Sequence, residues 1–194
     1  MTERPILFSA EMVRAILDGR KKQTRRVMKV QPYPDSIVTV EHFNQTVVDR
    51  HGDMQPGPEI FGAHWDDGEY GCRCPYGAPG DTLWVRETWA GHASGVDYAA
   101  DFAAVSRTQA GPWRPSIHMP RWASRITLRI TDVRVERLQE ISHEDCGAEG
   151  AWHDSYPTVP SYGNFARLWN DINGPGAWDA NPWVWAISFE RVKP

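Results

Sequence analysis

The chain has 194 residues, 41% of them hydrophobic and 24% charged, with a formal net charge of −4. That length suits one domain, 1–194, able to bury a substantial core. The acidic balance excludes a protein that coats long duplex DNA through bulk electrostatics. No run nears the ~18 apolar residues of a membrane span and no charged-then-apolar leader opens the chain, so a cytoplasmic protein is expected, with no membrane partner.

The first predicted element is a helix from Ser9 to Gly19. Ser9 is a good N-cap, Met12, Val13, Ile16 and Leu17 form an apolar stripe, and Gly19 supplies the left-handed stop. A basic run follows at once: Arg20, Lys21, Lys22, Arg25, Arg26 and Lys29, with no acid among them. A local basic spot on an acidic chain suits a small anionic ligand, a nucleotide or a short single strand; a solvated charged loop is the plainer reading.

Residues 31–78 are rich in Pro, Gly, Asp and His and read as an irregular insertion with one hairpin near Ile37 to Val48. Pro79-Gly80-Asp81 turns the chain into a strand over Leu83 to Thr88, with Trp84 and Arg86 sharing one face. A second insertion covers 91–119. Ile126 to Ile130 alternates, and the alternation resumes out of phase at Val133 and Val135, which predicts a β-bulge near Thr131 and Asp132. Short helices are expected over Ser142 to Glu149 and Tyr162 to Asn173, and a last strand over Trp183 to Val192. Strands broken by short helices without regular βαβ alternation point to α+β or a small barrel.

Three cysteines are too few for a disulfide framework, and Cys146 reads as structural. Cys72-x-Cys74, with His64 and His51 upstream, is spaced too tightly for zinc, so no metal and no cofactor is expected. Of the ten tryptophans, most belong in the core and some could stack on a base.

Leu17-Asp18-Gly19-Arg20-Lys21-Lys22-Gln23-Thr24-Arg25-Arg26 resembles the G-x-K-x-x-T-x-R signature that follows the first helix of the ASCH family. Pro79 to Glu87 resembles that family's G-D-x-L-x-V strand, and Ile130 to Val133, Leu138, Ile141, Ala148-Glu149-Gly150 and Trp185 to Phe189 continue the likeness over a little over half of the chain. Arg86-Glu87-Thr88-Trp89 and Ser116 to Trp122 look like the longer versions common in bacteriophage and prophage genomes. The resemblance implies a PUA-like small β-barrel flanked by short helices, with 31–78 and 91–119 as insertions and a cleft for a base or nucleoside. Small bacterial members include amidohydrolases acting on N4-acetylcytidine, and their catalytic Lys, Thr and Glu fall on Lys21, Thr24 and Glu149. Others are RNA-binding or RNA-cleaving, so the implied ligands are a nucleoside, a nucleotide or a short single-stranded RNA.

Amide hydrolysis needs a nucleophile, a base and donors for the oxyanion. Lysine can serve as the base for Thr24 only if burial or neighbouring cations lower its pKa. An ionised Glu149 beside Lys21 opposes that shift. In a second assignment Lys21 stays protonated as an electrophile and Glu149 activates water. Arg20, Lys22, Arg25, Arg26, Trp84, Arg86 and Glu87 are the candidate substrate-binding residues, although Trp84 could be core and Arg86 and Glu87 a surface ion pair.

Overall fold

The computed structural model describes residues 2–66, 68, 70–102, 112–153 and 156–192. Strand β1 (Glu3–Leu7) leads into helix α1 (Ala10–Leu17), whose first turn is capped by the Ser9 hydroxyl accepting from the Met12 amide. Gly19, at φ +74°, ends the helix as its sequence predicts, and β2 (Gln23–Val27) follows. Next come β3 (Thr39–Val48), β4 (Met54–Trp65), β5 (Tyr70–Arg73), β6 (Thr82–Arg86), β7 (Trp89–His92) and β8 (Gly95–Tyr98). The chain continues through β9 (Thr127–Arg137), helix α2 (His143–Ala148), β10 (Trp152–His153), β11 (Tyr156–Pro160), helix α3 (Tyr162–Asn173) and β12 (Trp183–Val192). This is a mixed α+β fold.

A five-stranded sheet in the order β1-β6-β9-β12-β2 forms its centre. Strand β12 is buried on both faces because it lies between neighbours and between layers. Trp185, Ile187 and Phe189 join the main core with Val13 and Ile16 of α1, while Val184 packs with Phe165 and Trp169 of α3. Among the described residues the backbone ladder does not close, so the sheet is open where a closed barrel was expected. Its two edge strands are bridged by a side chain instead: Arg26 Nη2 of β2 donates to the Leu7 carbonyl of β1 at 2.6 Å.

The predicted bulge lies at Thr131. Along β9, Ile130 pairs with Phe189 and Asp132 with Ser188, so Thr131 is the extra residue. It returns Val133 to the core face that Leu128 and Ile130 occupy, which explains the odd spacing of apolar residues.

The segment 31–78 is not irregular, as expected, but holds an antiparallel sheet in the order β3-β4-β5. Pro56, Gly57, Pro58 and Gly62 lie within β4 and Gly71 within β5, and the inner end of the hairpin places Ala63 and Trp65 in the main core, followed by Cys74 beyond β5. The β7–β8 hairpin, Trp89 to Tyr98, likewise opens the second insertion, and Trp89, Met119 and Ala123 form a small core of their own around it. Part of that second insertion, 103–111, lies outside the described residues.

The Pro79-Gly80-Asp81 turn is tied to the start of the chain. Asp81 accepts from the Thr2 amide (2.7 Å) and hydroxyl (2.6 Å), the Ala78 amide (3.2 Å) and Arg4 (3.2 Å). Partial burial opposes ionisation, but these donors outweigh it and bring the carboxyl from 3.8 to about 2. A depressed carboxylate stabilises the fold fully above pH 3.8 and loses that contribution as pH falls through about 2. Asp81→Asn is therefore expected to lower the urea midpoint at pH 7, and the gap to the native chain should narrow when both are unfolded near the lower value.

Candidate functional site

Lys21 follows the Gly19 stop, and its own amide donates back to the Ala15 carbonyl at 2.9 Å. The neighbouring Lys22 backbone then joins two further elements. Its amide donates to Ala148 at the end of α2 (2.8 Å) and its carbonyl accepts from Phe189 of β12 (2.9 Å). These bonds draw Lys21 inward, and its side chain is fully buried.

Glu149 caps the C-terminal end of α2, and Gly150 turns away at φ +86°, where an added Cβ would lie 3.7 Å from the Lys21 Cβ. The ammonium of Lys21 donates to the Glu149 carboxylate (Oε2, 2.6 Å) and also to the Glu149 carbonyl (2.9 Å). A carboxylate at a helix C-terminus is unfavourable against the dipole. Here two cations offset that, because Arg25 Nη1 donates to the other oxygen at 3.2 Å.

Arg25 is buried and bonds widely. It reaches Glu136 of β9 through Nε (2.8 Å), Asp145 of α2 through Nη2 (2.8 Å), and the Gln23 side chain. Its guanidinium also lies 5.9 Å from the Phe165 ring centre. Arg134 adds a second donor to Asp145 at 2.9 Å. Burial works against the charge of Arg25, but Glu149 and Glu136 outweigh it and hold its pKa above the ordinary arginine value. For Lys21 burial dominates and pushes the pKa down; Glu149 opposes this, while Arg26 and Arg25 reinforce it.

A cleft with two lobes opens between α1, α3 and the free edge of β2. The outer lobe, about 550 Å³, is lined by charged residues including Arg14, Arg20, Arg167, Asp18 and Asp171. The inner lobe, about 140 Å³, is lined by Thr24, Arg26, Tyr76, Phe165, Trp169 and Ile172. Met12, Leu168 and Glu149 line both, so Glu149 stands at their junction. At ~30 Å³ per water the inner lobe has room for about five, the scale of a single heterocyclic ring. The outer lobe is within the ~300–1,000 Å³ range of small-molecule sites.

Thus Thr24 and Glu149 share the inner lobe, and Lys21 lies behind Glu149 in direct contact with it. Arg20 lines the outer lobe and pairs with Asp18 at 2.8 Å. Arg25 lines the inner lobe and is bonded to Glu136, Asp145 and Glu149. Lys22 is exposed and lines neither lobe.

Trp84, Arg86 and Glu87 are not brought to the cleft, because β6 is separated from β2 by β9 and β12. Arg86 stacks on Trp84 (5.4 Å) and donates to the carbonyls of Met119 (3.1 Å) and Ile117. Glu87 is buried, with its pKa raised by burial against the influence of Arg125, which grips it at 3.0 Å. These three residues hold the second insertion against the sheet.

Sequence reasoning missed Glu136, Asp145, Gln23 and Trp169. The signal was present in β2: buried polar residues two apart, Gln23 and Arg25, imply polar partners across one face. Cys74 is buried and Cys72 half-buried. Among the described residues no three His, Cys, Asp or Glu side chains are grouped to hold a metal, and no helix is long and apolar enough to cross a membrane.

No family model matches the chain, and no curated protein matches it. Among solved structures it is similar to one titled as protein EF3133 from Enterococcus faecalis V583, family model DUF984. The identity is 13%, over 99% of this chain and 80% of that one, with a TM-score of 0.41. At that score the likeness transfers neither fold nor function.

Arg25→Met should remove about 3–5 kcal/mol of stability, because it strands Glu136, Asp145 and Glu149 without their shared cation. Arg25→Lys should recover only part of this, since an ammonium lacks the planar fork that meets three carboxylates. Denaturant midpoints at neutral pH measure both.

Proposed function

We propose that the chain is an ASCH-type protein whose cleft binds a nucleobase or nucleoside, and that it hydrolyses an N4-acyl group from a cytosine nucleoside without a metal. The observation that carries this reading is the buried Lys21–Glu149 contact at 2.6 Å beside a small lobe that also holds Thr24. The PUA-like reading of the sheet draws support from α1 between β1 and β2 and from the Arg26 bridge that brings those edges together.

In this reading Lys21 is the base, with burial, Arg26 and Arg25 lowering its pKa against the opposing Glu149. Glu149 is shared with Arg25, so its charge is not given wholly to Lys21, and burial still pushes the Lys21 pKa down. Neutral Lys21 takes the proton from the Thr24 hydroxyl as Oγ1 attacks the acyl carbonyl carbon. The tetrahedral adduct collapses with cleavage of the C–N bond, and the departing amine takes that proton. Water then hydrolyses the acyl-threonine, giving the carboxylic acid and restoring Thr24.

Native protein incubated with N4-acetylcytidine and a chelator should release cytidine and acetate. Thr24→Ala, Glu149→Ala and Lys21→Arg should each lower turnover by at least ~10²-fold, the scale of a nucleophilic or acid–base group. Arginine keeps the charge but does not deprotonate, so substantial activity in Lys21→Arg would move the base role to Glu149. The rate should rise with pH and level off below the ordinary lysine range, since the base acts once Lys21 has lost its proton. No hydrolysis by native protein would leave a base-binding module as the better account.

A further inference from the structure

Of the ten tryptophans, nine are buried or half-buried and Trp122 alone is exposed, at 72%. One exposed apolar residue carries little meaning by itself, but this one belongs to a patch. Ile117 is exposed at 57%, and Leu7 of β1, the register partner of Arg86, is exposed as well. Trp122 is also held in place. It lies in the single helical turn Arg121–Ala123, and its ring meets that of Trp89 edge to face at 5.9 Å. The Ala123 carbonyl accepts from the Tyr98 hydroxyl at 2.9 Å, and the Ser124 hydroxyl donates to the Val85 carbonyl at 2.8 Å. A ring fixed in this way loses little freedom when another ring stacks on it.

Three arginines belong to the same patch. Arg86 of β6 donates to the carbonyls of Met119 and Ile117, which sets its guanidinium 5.4 Å from the Trp84 ring centre. Arg121, the residue before Trp122, lies 5.9 Å from that same ring and donates through Nε and Nη2 to Glu3, both at 2.8 Å. Arg114 lies 5.0 Å from the centre of the Trp89 ring that Trp122 meets. Trp84 thus already has two guanidiniums beside it, and Trp122 is the ring left open. Both Arg114 and Arg121 are exposed. Among the described residues Glu3 is the only carboxylate in an ion pair with these three arginines, so the patch keeps an excess of positive charge on a chain of net charge −4.

We propose that this patch is a platform for single-stranded nucleic acid, with a base stacked on Trp122 and backbone phosphates against the arginines. Every base has a π-face, so an open indole beside guanidiniums accepts a strand without regard to its sequence. The excess of arginine matches phosphate and disfavours a basic partner. A duplex is a poor occupant, because its bases are stacked on one another and offer Trp122 no face. The platform is distinct from the cleft, since β9 and β12 stand between β6 and β2. It therefore goes beyond the hydrolysis proposed above and does not depend on it.

Fluorescence anisotropy of labelled oligouridylate and oligothymidylate, each of about 12 nucleotides, measures binding and distinguishes RNA from DNA. At least one strand should bind the native chain, more weakly at about 200 mM salt than at about 50 mM. A duplex of equal length should bind less well. Trp122→Ala should weaken the strand by about fivefold or more, the loss of one stacked base, and Trp122→Phe should recover most of that. Arg114→Gln should flatten the salt dependence. Excess cytidine should not displace the strand, and Trp122→Ala should leave hydrolysis of N4-acetylcytidine unchanged, because the cleft lies elsewhere. Binding of neither strand overturns the proposal and leaves the patch to a protein partner. Equal binding of duplex and strand, unchanged affinity in Trp122→Ala, or displacement by cytidine overturns it too. The duplex comparison and the cytidine competition use native protein and need no variant to fold. Absence of hydrolysis would count against the reading of the cleft and leave each of these strand-binding outcomes as it is.

Discussion

The Glu149 carboxylate is buried between two cations, and the geometry of the cleft depends on that arrangement. One oxygen takes Lys21 and the other takes Arg25, while its carbonyl takes Lys21 again. A carboxylate removed from water is tolerable only when its lone pairs are met by donors, and each donor here has its own obligations. Arg25 also holds Glu136 and Asp145, so the C-terminal end of α2, the edge strand β2 and the far half of β9 are fixed to one another through a single guanidinium. Such a network adds little net stability compared with apolar packing. It does oppose alternative arrangements, because shifting any one element leaves a buried charge unmatched.

The basic run is therefore divided between the interior and the surface. The turn after α1 and the alternation of β2 distribute it: Lys21 and Arg25 go inward to carboxylates, Arg26 to the cleft edge, Arg20 and Lys22 outward. Two of the six, Lys21 and Arg25, are committed inside the molecule to Glu149, Asp145 and Glu136, while Arg20, Lys22 and Lys29 stay exposed. The inner lobe that results is small and mixed, with Thr24, Arg25, Arg26, Glu149 and Asn173 set among apolar and aromatic residues.

Local signals in the sequence were reliable where one force dominated. The cap at Ser9, the start of α2 at Ser142, the extent of α3 and β12, and the bulge at Thr131 follow from backbone hydrogen bonding and from side-chain period. The meeting of Lys21 with Glu149 was legible only through a resemblance, because the two are 128 residues apart. What periodicity hid was longer in range. In 31–78, turn residues outnumber any clear alternation, since the outer half of the β3–β4 hairpin is exposed on both faces and carries no apolar code. Trp84 and Arg86 do share a face and stack, yet nothing local said that β9 and β12 would stand between them and β2.

The bulge at Thr131 also divides the sheet. On one side β6 pairs with β9 through Thr127–Arg129; on the other, β2 pairs with the stretch of β12 that faces Asp132–Glu136. A bulge sharpens the local right-handed twist, so this one governs how far the two outer strands swing toward each other. A chain lacking that single residue would keep every β9 side chain on its present face, because the alternation on either side would simply join. Its sheet would be flatter, however, and the span from Arg26 to the Leu7 carbonyl wider. One residue with no contact to the cleft thus acts as a curvature control, through which insertion or deletion could widen or narrow the opening while the charged interior stays intact.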